Sequence, residues 1–304
     1  MVAIPDGFLV PTKTDGSISL VDLDGKGPYK LTDDQTGKWF YHRVLWKDMD
    51  LDGDLDVLTC RAREPIIGFG KDTEMLWLEN PGTYLSPWRP HVIAHGPDIF
   101  VIHVSLNTTD GLQDCIIAAQ FFTSSLTIYW VENRSGNWSD TSKVKSRVID
   151  NTIGNVFDVT LTDLNMDGKP DLLVTNNGAS GSLFAYEVPL DFRTGDFKKR
   201  TLAAGFKPGK SGTGKGAPGA AMSVYPYTQM NGTKPSILLS GDDDGHAYYL
   251  EPRSNDPSDW TYEMLIILDA GDGTVGELSF ADVDDDGYVR FLSHRIAQMR
   301  CLCT

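Results

Sequence analysis

Four cysteines in 304 residues are too few for a disulfide scaffold, and none falls in the paired CxxC spacing of a structural zinc site. Cys60 and Cys115 lie in or beside hydrophobic runs and are expected to be small buried residues, while Cys301 and Cys303 lie near the chain's end. No apolar stretch approaches the roughly 18 residues of a spanning helix, and the opening Met1-Val-Ala-Ile-Pro-Asp-Gly7 lacks the basic and apolar regions of a secretory leader. No membrane span is expected, and sequons at Asn107, Asn133, Asn137 and Asn231 are compatible with a secreted parent. Basic residues are also scarce. Against 42 Asp and Glu there are 27 Lys and Arg, a formal charge of −15, which argues against nucleic acid as a partner because a phosphate-binding surface needs a cationic excess. A hydrophobic content of 40% with 23% charged residues excludes disorder and collagen and suffices for one large core or two modest ones.

What the chain does have is an internal repeat. Three acidic segments follow the template D-x-[DN]-x-D-G: Asp48-Met-Asp50-Leu-Asp52-Gly53-Asp54-Leu-Asp56, Asp163-Leu-Asn165-Met-Asp167-Gly168-Lys169-Pro-Asp171, and Asp282-Val-Asp284-Asp-Asp286-Gly287. Two eroded copies lie between them, Asn107-Thr-Thr-Asp110-Gly111-Leu-Gln-Asp114 and Gln229-Met-Asn231-Gly232-Thr-Lys-Pro235. Successive glycines 53, 111, 168, 232 and 287 stand 58, 57, 64 and 55 residues apart, a spacing typical of stacked or radially arranged supersecondary units.

Short β-type runs bracket each loop, Val44-Leu45-Trp46 and Val57-Leu58-Thr59 at the first, Val159-Thr160-Leu161 and Leu172-Leu173-Val174 at the second. A third run recurs as Met75–Asn80, Leu126–Asn133, Leu183–Glu187 and Ala247–Glu251, and a fourth as His91-Val-Ile and Arg147–Asp150. Four strands per unit predict an all-β fold, a β-propeller of four-stranded blades spanning residues 1–292, with residues 293–304 as an atypical C-terminal tail. Five units are visible. Residues 8–31 look like later strands of a blade and 277–281 like first strands, so two arrangements stay open: a ring of four whole blades plus one composite, or a truncated piece of a larger propeller.

Carboxylates at positions 1, 3, 5 and 9 of a short loop, with glycine at 6 for the sharp turn, can converge on a hard cation that takes six to eight oxygens, and calcium is the expected ion. The ligands would be Asp48, Asp50, Asp52 and Asp56 with the Asp54 carbonyl, then Asp163, Asn165, Asp167 and Asp171 with the Lys169 carbonyl. The third loop would use Asp282, Asp284 and Asp286; it lacks the ninth carboxylate, since Arg290 stands there, and should bind less tightly. An EF-hand is excluded because position 12 holds Thr59 and Val174 rather than Glu. Twelve of the 42 acidic residues belong to these loops, and without them 30 acidic residues face 27 basic ones, a formal charge of −3. The acidity is therefore local to the loops.

These motifs and their flanking strands resemble the FG-GAP/VCBS repeat propellers, whose blades carry a calcium loop between the first two strands. Trp39-Phe-Tyr-His42-Arg43 before the first loop, Thr59-Cys-Arg61-Ala-Arg63 after it and Trp77-Leu-Glu-Asn80-Pro-Gly82 are most similar to the propeller of fungal aldos-2-ulose dehydratase and of rhamnose–glucuronate lyases. That resemblance implies seven blades, a β-elimination on an acidic or keto sugar, and room for a second domain outside this chain. Five loop copies depart from it.

Blade connections alternate between two faces, so strand-one starts and strand-two exits share the face away from the metal loops. His42, Arg61, Arg63, His103, Gln120, Asp158, Asn176, Asp242, Asp244 and His246 are expected there. An elimination needs a base, a cation for the enolate and an acid, which assigns His42 or His103 as base, Arg61 and Arg63 as the carboxylate clamp, and His246 as acid. Each also has a structural alternative: packing for His103, ion pairing with loop carboxylates or Glu64 for the arginines, a hairpin turn for His246. Ala204–Ser211 matches a relaxed P-loop pattern, but the glycine-rich run after it cannot open a helix; the segment 205–219 is expected as a flexible loop bearing Lys210 and Lys215, a lid if it lies on the candidate face. A non-catalytic lectin-like or adhesion propeller, and an inactive fragment of a larger enzyme, are the competing readings.

Overall fold

The computed structural model describes residues 1–7, 15–33, 39–63, 71–132, 134–212, 214–227, 232–295 and 300–303, with residues from 292 onward described as backbone only. The expected strand at 8–11, the sequons at Asn133 and Asn231, Glu64, and the side chains of Cys301 and Cys303 lie outside the described set. The chain divides into two compact units, Met1–Thr152 and Ile153–Thr304.

The first unit holds three antiparallel sheets. Strands β1 (Val2–Pro5), β2 (Ile18–Val21) and β3 (Tyr29–Lys30) form the first. Strands β4 (Phe40–Lys47), β5 (Asp56–Arg63), β6 (Asp72–Glu79) and β7 (Arg89–His95) form a four-stranded meander, and β8 (Phe100–Thr108), β9 (Gly111–Gln120), β10 (Ser125–Val131) and β11 (Val144–Asp150) form another. The second unit repeats the pattern with β12 (Val156–Thr162), β13 (Asp171–Asn176), β14 (Gly181–Glu187) and β15 (Lys198–Phe206), then β16 (Ala221–Val224), β17 (Ser236–Ser240), β18 (His246–Pro252) and β19 (Tyr262–Asp269). Its third sheet is β20 (Val275–Ala281), β21 (Arg290–Arg295) and β22 (Arg300–Cys303). Consecutive four-stranded antiparallel meanders define the chain as an all-β protein of the β-propeller class, and its only described helical turn is the 3-10 segment Thr141–Lys143.

At the two ends of the chain the sheets are three-stranded. The backbone of 293–295 and 300–303, expected as a tail outside the repeat, pairs in register Leu292↔Cys303 and Arg295↔Arg300. Six sheets are therefore present among the described residues where the glycine spacing counts five units.

Burial follows strand order. The second strand of each meander is apolar on both faces, as in Val57-Leu58-Thr59-Cys60 and Ile116-Ile117-Ala118-Ala119, all completely buried, whereas no residue of the outermost strands β11 and β19 is buried. This is the pattern of sheets stacked face to face, where an inner strand meets neighbours on both sides. In the first unit Met49, Leu58, Cys60, Trp77, Val101, Ile116, Tyr129 and Trp138 form one core, and Ile18, Leu31, Trp39, Tyr41, Val57, Leu76 and Trp88 another. The second unit has equivalent cores around Leu173, Ala185, Ile237 and Leu250, and around Val224, Leu238, Val275 and Leu278. Cys60 and Cys115 are free and buried, and burial pushes both thiols up.

Candidate functional site: the acidic loops and the opposite strand ends

All three acidic loops connect the first and second strands of their sheets: β4 to β5, β12 to β13 and β20 to β21. They share one backbone. The fourth position takes a positive φ in each, Leu51 at 66°, Met166 at 61° and Asp285 at 55°, and the sixth-position glycine does so too, Gly53 at 102°, Gly168 at 79° and Gly287 at 86°. This left-handed pair lets the first carboxylate curl over the turn. One Asp48 oxygen accepts from Gly53 N–H at 3.1 Å, Asp163 from Gly168 at 2.9 Å and Asp282 from Gly287 at 2.9 Å.

The ninth carboxylate closes the first two loops. Asp56, 1% exposed, accepts the Met49 N–H at 2.9 Å, and Asp171 accepts the Leu164 N–H at 2.9 Å. Met49 and Leu164 are in turn buried in the cores, so each loop is anchored by its second residue. Burial raises Asp56, helped by the charges of Asp50 and Asp52, and raises Asp171 to about 7, with Asp167, Asp163 and Glu187 adding to the effect. The first loop gains support from the next sheet. Trp138 N–H donates to the Met49 carbonyl at 2.7 Å, and the Asn137 side-chain amide donates to the Asp50 carbonyl. Asn137 is one of the sequon asparagines, and its amide nitrogen is committed to this contact; sequence reading gave no signal of it.

Carboxylate oxygens of Asp48, Asp50 and Asp56 lie within 4.8 Å of one another, as do those of Asp282, Asp284 and Asp286, and either group could hold a metal ion. Oxygens 2.3–2.6 Å from a common centre span up to about 5 Å, so the spacing and the all-oxygen donor set suit a hard cation. Asp52 and Asp167 instead accept the N–H groups of Asp54 and Lys169 at 2.9 Å. In the second loop Asn165 takes the third position, and it accepts the Asp167 N–H at 3.0 Å.

The third loop differs at its ninth position. The Arg290 guanidinium forks onto both Asp286 oxygens at 2.8 Å, while Nη1 also reaches Asp284 at 2.7 Å and the Tyr288 carbonyl at 3.0 Å. These bonds hold the Asp286 carboxyl down at about 2.

At the other strand ends, the proposed clamp is already engaged. Arg61 donates to Glu74 at 2.6 Å and Arg63 to Asp72 at 3.0 Å, and both guanidinium groups lie over the Trp39 ring, 4.1 and 4.3 Å from its centroid. His42 meets Phe100 edge-on at 4.7 Å; burial, aided by the Arg43 charge, lowers its imidazole to about 4. His103 bonds Asp114 at 2.6 Å, and Asp114 also pairs at 3.1 Å with Lys47, the residue preceding the first acidic loop. Burial acts to raise Asp114, but the His103 and Lys47 contacts outweigh it and leave the carboxyl lowered. Gln120 bonds the Tyr129 hydroxyl, Asp158 the Ala221 N–H and Asn176 the Ile153 carbonyl, so these rim residues serve the local fold.

Within the second unit a polar group gathers of its own. Around the turn between β17 and β18, Tyr248 donates to Asp244 at 2.6 Å, His246 Nδ1 lies 3.4 Å from the same carboxylate, and Asn177 donates to Asp242 at 2.9 Å. Burial raises Asp242 to about 6, with Asp243 adding to it. The expected lid is pinned to this turn. Gly209 N–H bonds the Asp243 carbonyl at 2.8 Å, Lys215 reaches Asp243 at 2.6 Å, and Lys210 pairs with Asp272 at 2.9 Å. Side-chain partners this far apart in sequence leave no local signal.

Two open clefts lie beside the loops. In the first unit a cleft of about 550 Å³ is lined by Trp46, Asp54, Asn80, Thr83, Tyr84 and Trp88. In the second a cleft of about 690 Å³ is lined by Asp163, Ser223, Tyr225, Tyr227, Thr233 and Phe280 among others. Trp46 and Tyr225 are each 40% exposed, although both are large rings.

Fold and loops together define a repeat β-propeller with acidic inter-strand loops. Residues 108–174, from the end of β8 into β13, match the FG-GAP-like repeat. Among solved structures the chain is similar to a glucose dehydrogenase, with 11% identity over 96% of both chains and a TM-score of 0.51, a likeness of fold alone. An apocarotenoid oxygenase mutant from Synechocystis aligns at 11% identity over 95% of this chain and 64% of its own, with a TM-score of 0.42. No curated protein matches the chain.

Proposed function

We propose that this chain is a calcium-binding β-propeller that binds carbohydrate without transforming it. Calcium is assigned to the first two loops, held by Asp48, Asp50 and Asp56 with Asp52 and the Asp54 carbonyl completing the set, and by Asp163, Asn165, Asp167 and Asp171 with the Lys169 carbonyl. The observation that carries the metal reading is the convergence of the Asp48, Asp50 and Asp56 oxygens within 4.8 Å in a loop whose backbone is anchored from both sides. Bound calcium would neutralise carboxylates that otherwise repel one another. Sugar is assigned to the aromatic clefts, because exposed Trp46, Tyr84, Tyr225 and Tyr227 rings offer stacking faces beside hydrogen-bonding Asp, Asn, Ser and Thr side chains. Glycan-array binding with the purified chain tests it. Binding lost in Trp46→Ala and Tyr225→Ala supports the reading; no glycan bound, or binding unaffected by both substitutions, defeats it.

A sugar lyase or dehydratase is the second reading, favoured by the grouping of the His246 ring 3.4 Å from the Asp244 carboxylate, which accepts from the Tyr248 hydroxyl, beside Asp242. Arg61 and Arg63 would serve it poorly as a carboxylate clamp while Glu74 and Asp72 neutralise them. Consumption of a uronate or ketoaldose that His246→Ala abolishes would make this reading the correct one.

A further inference from the structure

The three loops share their turn, their positive-φ pair and the bond from the sixth-position N–H to the first carboxylate, yet only the first two have a carboxylate at the ninth position. A metal ion in such a loop needs the third and fifth carboxylates and the seventh carbonyl as ligands. In the third loop those donors are Asp284, Asp286 and the carbonyl of Tyr288, and Arg290 Nη1 contacts all three, at 2.7, 2.8 and 3.0 Å. The second guanidinium nitrogen, Nη2, holds the other Asp286 oxygen at 2.8 Å. We infer that the third loop is not a metal site: Arg290 places a built-in cation where the ion would sit, and the loop is closed by that guanidinium.

The physical case rests on charge and geometry together. Asp282, Asp284, Asp285 and Asp286 place four carboxylates in five residues and need a counter-charge to keep one conformation. A planar guanidinium supplies it with directed donors, and it is always charged. Val283 is 63% exposed, whereas its counterparts Met49 and Leu164 are buried, so this loop is not anchored in the core through its second residue and depends more on the arginine. A divalent ion could enter only by displacing the guanidinium from both carboxylates.

Calcium equivalents bound per chain, measured by isothermal titration with equilibrium dialysis as a check, decide the matter. The wild-type chain is expected to bind two, and Arg290→Asp, which restores the ninth carboxylate, three. A count of none in the wild type and one in the variant would uphold this inference while defeating the calcium reading of the first two loops. Three equivalents in the wild type, or the same count in both proteins, would overturn it. Should Arg290→Asp fail to fold, Asp282→Asn in the wild-type background serves instead. An unchanged calcium count and calcium-induced melting shift support the inference, and loss of one equivalent overturns it.

Discussion

Replacing Asp56 by asparagine separates the structural work of this carboxylate from its metal work. Asp56 is 1% exposed, and its two oxygens accept the Met49 N–H at 2.9 Å and the Asn80 N–H at 2.8 Å. Asparagine keeps one acceptor and turns an NH2 toward the second N–H, so one charge-assisted hydrogen bond, worth about 1.5–3 kcal/mol, is lost. Removing a carboxylate raised by burial and by Asp50 and Asp52 returns part of that, leaving a net cost of about 2 kcal/mol without metal. With calcium at about 100 times its dissociation constant, the wild type gains a further ~2.7 kcal/mol from this site that the variant does not. Urea unfolding of both proteins, in chelator and in calcium, should therefore show a gap that widens from about 2 to about 5 kcal/mol. For a unit of the size of Met1–Thr152 the corresponding melting gap grows from roughly 4–8 °C to roughly 10–20 °C. An identical gap in both buffers would refute Asp56 as a metal ligand. Absence of a gap in chelator would refute the role of its two backbone bonds.

Other outcomes follow from particular contacts. Asp98 is fully buried, accepts the Phe121 and Phe122 N–H groups at 2.8 and 2.7 Å, and is raised by burial from 3.8 to about 7. The folded state then holds a proton that the unfolded chain has released, so stability falls as pH rises from about 4 to 7, by up to ~1.4 kcal/mol per pH unit. Urea titrations across that range should show this slope in the wild type and a flatter one in Asp98→Asn. Trp138→Ala removes a fully buried ring and loosens the strut beneath Met49; unfolding should show a loss of about 3–5 kcal/mol, with weaker calcium binding at the first loop. In a glycosylating host, peptide mapping should find Asn137 unmodified in the folded protein, since its amide nitrogen is held by the Asp50 carbonyl, and occupancy at that site would contradict the contact.

Much of the fold is legible from one sequence because its causes are local. The loops recur at near-constant spacing, the glycine at their sixth position takes the positive φ its place demands, and runs such as Val57–Cys60 carry the apolar content of strands buried on both faces. Ligand candidates in the loops are equally visible, since Asp48, Asp50 and Asp56 are brought together by one tight turn within nine residues. The opposite face is a different matter. Arg61 with Glu74, His103 with Asp114 and Lys215 with Asp243 are pairings across strands or between distant loops, set by register and side-chain direction. The short Arg290 contact is also invisible to a template: position nine reads as a missing ligand, and only the folded loop turns the guanidinium inward onto Asp284 and Asp286. By itself, then, the sequence determined the repeat, the blade strands and the acidic turns, all governed by interactions within a few residues. Tertiary structure alone decided which charged groups are already neutralised by partners, because that depends on which strands and loops the completed sheets bring side by side.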